Sequence, residues 1–110
     1  MKYELKLTDL KYKKDLWSDK TVEKLEKQLK EAGRNTPDNK RYKVNCTINE
    51  GNKSRVKDVD NYSKPILDAI TYTKVLWIDD EQVDEILVKR IRDSKEEKTS
   101  VQILIEKILS

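Results

Sequence analysis

The chain contains no histidine and a single cysteine, Cys46. With one cysteine there is no disulfide framework, and without histidine there is no Cys/His zinc site and no histidine-dependent triad. Any metal must be held by oxygen, and 21 Asp and Glu residues could supply it. Long apolar runs are missing too. None approaches the ~20 residues that cross a bilayer, so no membrane partner is expected. Residues 1–10 alternate charged and apolar side chains and lack the apolar stretch of a signal peptide. The expectation is a cytoplasmic, reducing location. Apolar residues make up 35% of the 110 residues and charged residues 41%. That length suits one domain spanning 1–110, with no internal repeat, linker or low-complexity tail. A domain this small buries a modest fraction of its surface, and dimerisation is one way to complete a thin core.

What is present is charge, and it is segregated. From Lys40 to Lys57 there are six basic residues and one acidic, a net of +5. From Asp58 to Glu85 there are eight acidic and two basic, a net of −6. A basic stretch can hold a polyanion by neutralising its phosphates. An acidic cluster beside it repels that polyanion unless a cation sits between them. Plain solvation of charged loops is the competing explanation for each run taken singly.

Periodicity predicts the elements. Residues 3–7 alternate as a strand. Ser18 or Asp19 can cap a helix whose apolar face is Val22, Leu25, Leu29 and Ala32, with Gly33 at its end. Tyr42, Val44, Cys46 and Ile48 alternate as a strand with one buried face, which makes Cys46 a core residue. A second helix starts between Asp60 and Ser63 and runs to about Thr71, with Ile66, Leu67 and Ile70 inward. Pro65 fits it only in the first turn. Strands over 85–91 and 99–108 follow, joined by a charged turn at 95–98. The order β-α-β-α-β-β predicts an α+β domain, a small mixed β-sheet with two helices.

Three groups of residues stand out chemically. In Asp58-Val-Asp60-Asn61, an extended backbone points both carboxylates to one side and Val59 to the other. Two carboxylates at ~4 Å repel by ~1 kcal/mol in water and ~4 kcal/mol at an effective dielectric of ~20. A hard divalent cation such as Mg²⁺ relieves that repulsion. Alternatively, Asp60 or Asn61 simply caps the second helix. Lys64 follows Asp60 by one helical turn and can either pair with the acids or meet a phosphate. Asp79-Asp80 follows the apolar stretch Val75-Leu-Trp77-Ile78, which should anchor it at the edge of packed structure. It is either a third functional acid or an acidic turn. Apolar surface around Trp77 is a candidate for a subunit interface, and helix packing within one subunit explains it equally well.

The strings Asp58-Val-Asp60-Asn61-Tyr-Ser-Lys64-Pro-Ile-Leu-Asp68-Ala-Ile70 and Trp77-Ile-Asp79-Asp80-Glu-Gln-Val83 resemble the signature of the RusA-type Holliday junction resolvases. That pattern is D-x-D-N-x-x-K, then D-A-L, then aromatic–apolar–D-D-x-x-V. The resemblance covers 58–83, and the basic residues Lys53, Arg55 and Lys57 upstream match the family's habit as well. It implies a homodimeric, Mg²⁺-dependent endonuclease, with Mn²⁺ as a substitute ion. Such enzymes occur in phages, prophages and bacteria, serve DNA recombination and repair, and cut four-way DNA junctions with paired nicks. The family's metal-binding acids fall on Asp58, Asp60 and Asp80, and its catalytic lysine on Lys64. The Pro-rich N-terminal segment of many relatives has no counterpart here.

Together these readings predict metal-assisted phosphodiester hydrolysis. Lys53, Arg55, Lys57 and Lys64, with Lys40 and Arg41, are expected to hold the DNA backbone, which positions a substrate without reading its sequence. Two rival readings accompany this one: the same chemistry on another branched DNA, and a non-catalytic DNA-binding module.

Overall fold

A computed structural model describes residues 1–10, 18–52, 62–92 and 95–108. The elements are β1 (Lys2–Leu10), α1 (Asp19–Glu31), β2 (Tyr42–Asn49), α2 (Ser63–Thr73), a single 3₁₀ turn (Asp80–Gln82), β3 (Val83–Ile91) and β4 (Thr99–Lys107). The order and the α+β class match the expectation from periodicity. β1 and α2 run longer than the pattern suggested, because tertiary pairing extends elements past their strongest local signal.

Among the described residues, four strands form one sheet in the order β1-β4-β2-β3. β4 pairs antiparallel with both β1 and β2, whereas β2 and β3 are parallel. A parallel pair cannot be closed by a tight turn, so the connection crosses over and carries α2. The sheet is therefore mixed.

Alternation puts one face of the sheet in the core. Leu5 pairs with Ile103, Ile103 with Cys46, and Cys46 with Val88, which makes one apolar row across all four strands. Leu25 and Leu29 of α1 and Ile66, Ala69 and Ile70 of α2 cover that face. Burial pushes the Cys46 thiol up to about 12, so it stays protonated and unreactive at neutral pH. The opposite face carries Glu4, Lys6, Lys43, Asn45, Thr47 and Gln102 and is open.

Local signals account for the helix ends. The Ser18 hydroxyl accepts from the Thr21 N–H at 3.2 Å, a side-chain N-cap. Gly33, just past α1, has φ +93°, the left-handed conformation that costs glycine least. Two expectations are corrected. Ala32 is exposed, because it is the C-cap rather than part of the buried stripe. Ile78 is 66% exposed, because the chain turns outward after Trp77.

Candidate active site

The site forms where the first turn of α2 meets the turn that leads into β3. Ser63 and Lys64 open α2 and Pro65 follows, so the missing proline N–H falls where no intrahelical partner exists. Pro65, Ile66, Ala69 and Ile70 face inward. Lys64 and Asp68, one turn apart, lie on the outer side. Tyr62, before the helix, has no side-chain capping role. Instead it is buried and its hydroxyl donates to Glu50 Oε2 at 3.0 Å. Glu50 also lies 3.7 Å from Arg90 on β3. The start of α2 is thereby tied to the ends of two strands.

The second half of the site is braced from below. Arg34 Nε and Nη2 donate to the carbonyls of Val75 and Leu76 at 3.3 and 3.0 Å. The Asp38 N–H donates to the Leu76 carbonyl at 3.1 Å. Trp77 is fully buried, 5.6 Å from the Tyr42 ring, and its indole N–H donates to the Thr71 hydroxyl. Trp77 itself is therefore core, packed within one subunit. The Asp38 carboxylate accepts from Tyr42, Arg34, Lys107 and the Lys40 N–H. Burial alone would raise its pKa, but those four donors outweigh it and hold Asp38 well below the usual carboxylate range.

Asp79 and Asp80 have different jobs. Asp79 is an N-cap: its carboxylate accepts from the Glu81 N–H at 3.0 Å, in a reciprocal capping box with Gln82. Gln82 is nearly buried. Its carbonyl oxygen accepts from the Ile78 and Asp79 N–H groups, and its amide donates to the Asp38 and Lys40 carbonyls. With Asp79 committed to the backbone, Asp80 is left to point at α2.

Lys64 Nζ lies 2.7 Å from Asp80 Oδ2 and 3.0 Å from Asp68 Oδ1. One ammonium bridges two carboxylates, Asp68 on its own helix and Asp80, 16 residues from Lys64 along the chain. The hydrogen bond from Lys64 lowers the Asp80 pKa, and Asp80 and then Asp68 raise that of Lys64. Lys64 is thus a fixed cation at neutral pH, suited to offsetting phosphate charge and unsuited to accepting a proton. The available donors are carboxylate oxygens, which fit a hard cation. Among the described residues no group of three or more Asp, Glu, His or Cys is placed to hold a metal.

The predicted site residues are therefore distributed as follows. Lys64 and Asp80 are brought together, and Asp68 joins them. Asp58 and Asp60, and the basic residues Lys53, Arg55 and Lys57, lie outside the described residues. Lys40 is exposed beside the site's bracing loop. Arg41 is half-exposed and engaged, with Nε 3.0 Å from Asp84 and Nη1 3.1 Å from Glu81. Gln82, Asp38 and Arg34 escaped sequence reasoning. Only Gln82 left a signal, the Asp79-x-x-Gln82 spacing of a capping box.

The family model for endodeoxyribonuclease RusA matches residues 8–105, most of the chain. The chain belongs to the RusA endodeoxyribonuclease family. This is a family of nucleases that resolve Holliday junctions, so RusA membership makes branched DNA the substrate class at family level. A search of curated proteins found no match. Among the described residues no helix is long and apolar enough to cross a membrane.

Proposed function

We propose that this chain is a Mg²⁺-dependent endonuclease that cuts four-way DNA junctions by paired nicks, acting as a homodimer with one acidic site per subunit. The observation that carries the reading is the Lys64–Asp80 contact at 2.7 Å, which joins the two halves of the motif in space. Asp80, with Asp58 and Asp60, would hold the ion, and the capping role of Asp79 favours Asp80 as the third ligand. Bound there, Mg²⁺ would polarise the scissile phosphate and make a water more acidic. Lys64 carries a permanent positive charge within reach of Asp80 and would offset negative charge gathering on the phosphate. Lys53, Arg55 and Lys57, together with Lys40 and Arg41, would hold the backbone and set the register of the junction arms. A closed two-fold dimer presents two equivalent sites to two symmetry-related strands.

The test separates binding from cutting. Asp60→Asn and Asp80→Asn keep side-chain size and remove one anionic ligand each. Both should bind an immobile four-way junction in EDTA at least as tightly as the parent and fail to cut it in Mg²⁺. Lys64→Ala should cut poorly without tighter binding, because it removes a positive charge. Equal cutting of a linear duplex with the same arms would assign the enzyme to a different DNA. Parental cutting by Asp60→Asn would end the metal-site reading, and binding without cleavage by the parent in Mg²⁺ would indicate a non-catalytic module.

A further inference from the structure

The two edges of the sheet are treated differently. β1 is guarded. The Lys6 N–H and C=O, turned away from β4, are both bonded at 2.8 Å by the Gln28 side chain of α1. Its exposed positions include Lys2 and Lys6, and a register shift breaks its pairing between Leu7 and Leu10. Lysines and bulges on an edge are devices that prevent strand addition. β3 carries one exposed lysine, Lys89, but over Glu85–Ile91 its pairing with β2 is regular and unbroken by a bulge. Its large apolar side chains are in the open: Ile86 is 38% exposed, Leu87 54% and Ile91 47%.

The peptide groups of β3 follow one alternation. The Glu50 N–H donates to the Ile91 carbonyl, so Ile91 turns its backbone toward β2. Lys89, Leu87 and Glu85 do the same by the two-residue period, and Ile86 and Val88 turn theirs outward. Among the described residues nothing is bonded to the outward groups of Ile86 and Val88.

The sequence of this edge is self-complementary when reversed about Leu87. Antiparallel to itself, Glu85 falls opposite Lys89, Ile86 opposite Val88, and Leu87 opposite Leu87. Opposite residues share a face, so the Glu85–Lys89 and Leu87 pairs lie on the open face and the Ile86–Val88 pair on the core face. The outward peptide groups fall in the right place as well: Ile86 and Val88 form the hydrogen-bonded pairs, and Leu87 sits at a non-hydrogen-bonded pair, where opposing side chains are closest.

We propose that β3 is the subunit interface, pairing antiparallel with the partner's β3 about a two-fold axis at Leu87 to make one continuous eight-stranded sheet. This rests on the homodimer of the proposed function and specifies its surface and register. The axis stands perpendicular to the sheet, so both helical layers, and with them both Lys64–Asp80 sites, lie on the same side. The two β3 starts are then eight residues apart along the ladder, about 27 Å. Two carboxylate–lysine centres facing one way suit a substrate cut on two strands.

The register makes the test specific. In Glu85→Lys every cross-axis pair becomes basic against basic, and in Lys89→Glu acidic against acidic. Each variant alone should dimerise about tenfold more weakly than the parent, and an equal mixture of the two should recover parental association as a heterodimer. Leu87→Cys places a thiol directly opposite its own copy, within disulfide reach, and should cross-link under mild oxidation. Lys89→Cys, on the same face but four residues from its copy along the ladder, should not. The parent, whose one thiol is buried, is the blank. Sedimentation, non-reducing electrophoresis and circular dichroism read association, cross-linking and folding. A parent that is monomeric at every concentration yet cuts junctions overturns both the dimer reading and this interface. A dimeric parent overturns the β3 interface alone if neither charge variant weakens association and Leu87→Cys does not cross-link.

Discussion

Asp38 shows how a carboxylate outside the motif can brace the turn that carries Asp80. It accepts from Tyr42, Arg34, Lys107 and a backbone N–H, and its own N–H reaches the strand-like segment before Asp79. Removing one member of such a charged network leaves buried donors unsatisfied, at about 1–3 kcal/mol. Asp38→Ala should lower the melting temperature clearly, and more than substitution of the exposed Glu97. The pH dependence has a definite sign. The folded pKa of Asp38 lies below its unfolded value near ~3.9, so its contribution is complete above that value and is lost as pH falls toward the folded pKa. Asp38→Asn should flatten the acid limb of a stability–pH curve and leave the curve above about pH 5 parallel to the parent's, as melting across pH 2–7 would read.

Among the elements, the turn before β3 and the end of β2 are the most constrained. Gln82 fills four hydrogen bonds inside the Asp79–Gln82 turn and to the 38–40 loop. Gln82→Ala should loosen the position of Asp80 and lower the junction cleavage rate at least tenfold while DNA affinity in EDTA stays near parental, and Gln82→Glu should restore little because it loses the two amide donors. Gly51 closes against the turn before β4. A Cβ there would lie 2.3 Å from the Glu97 carbonyl oxygen and 2.5 Å from the Lys98 carbonyl carbon. Its N–H donates to the Thr99 hydroxyl, and the Asn52 N–H donates to the Glu96 carbonyl. Gly51→Ala must push backbone apart and should destabilise by about 2 kcal/mol or more, measured by denaturant unfolding.

For the whole molecule, the charge segregation read from composition becomes a prediction about salt. If Lys53, Arg55 and Lys57 neutralise phosphates, each Lys or Arg→Ala change should reduce the slope of log affinity against log salt by about one, on junctions of any sequence. Arg41 is already shared between Glu81 and Asp84, so Arg41→Ala should change that slope less than Arg55→Ala. Affinity measured in EDTA across a salt series reads both. An unchanged slope with altered cut-site preference would make these residues base readers.

Elements with strict local periods were legible without coordinates. The alternation of β2, the 3.6-residue stripe of α1 with its Ser18 cap, and the position of Pro65 all follow from forces acting within a few residues. The motif behind the family resemblance was legible as well, and the structure brings two of its members, Lys64 and Asp80, together, while Asp58 and Asp60 lie outside the described residues. Other features depend on partners far along the chain. Strand order, the parallel pairing of β2 with β3, and the burial of Trp77 are set by which faces pack. The division of labour between Asp79 and Asp80 is of the same kind. It arises because Gln82 and the 38–40 loop claim one acid's neighbourhood, while α2 brings Lys64 to the other. The open edge of β3 was equally hidden: its sequence reads as an ordinary strand, and only the sheet order places it at an edge with no neighbouring strand among the described residues.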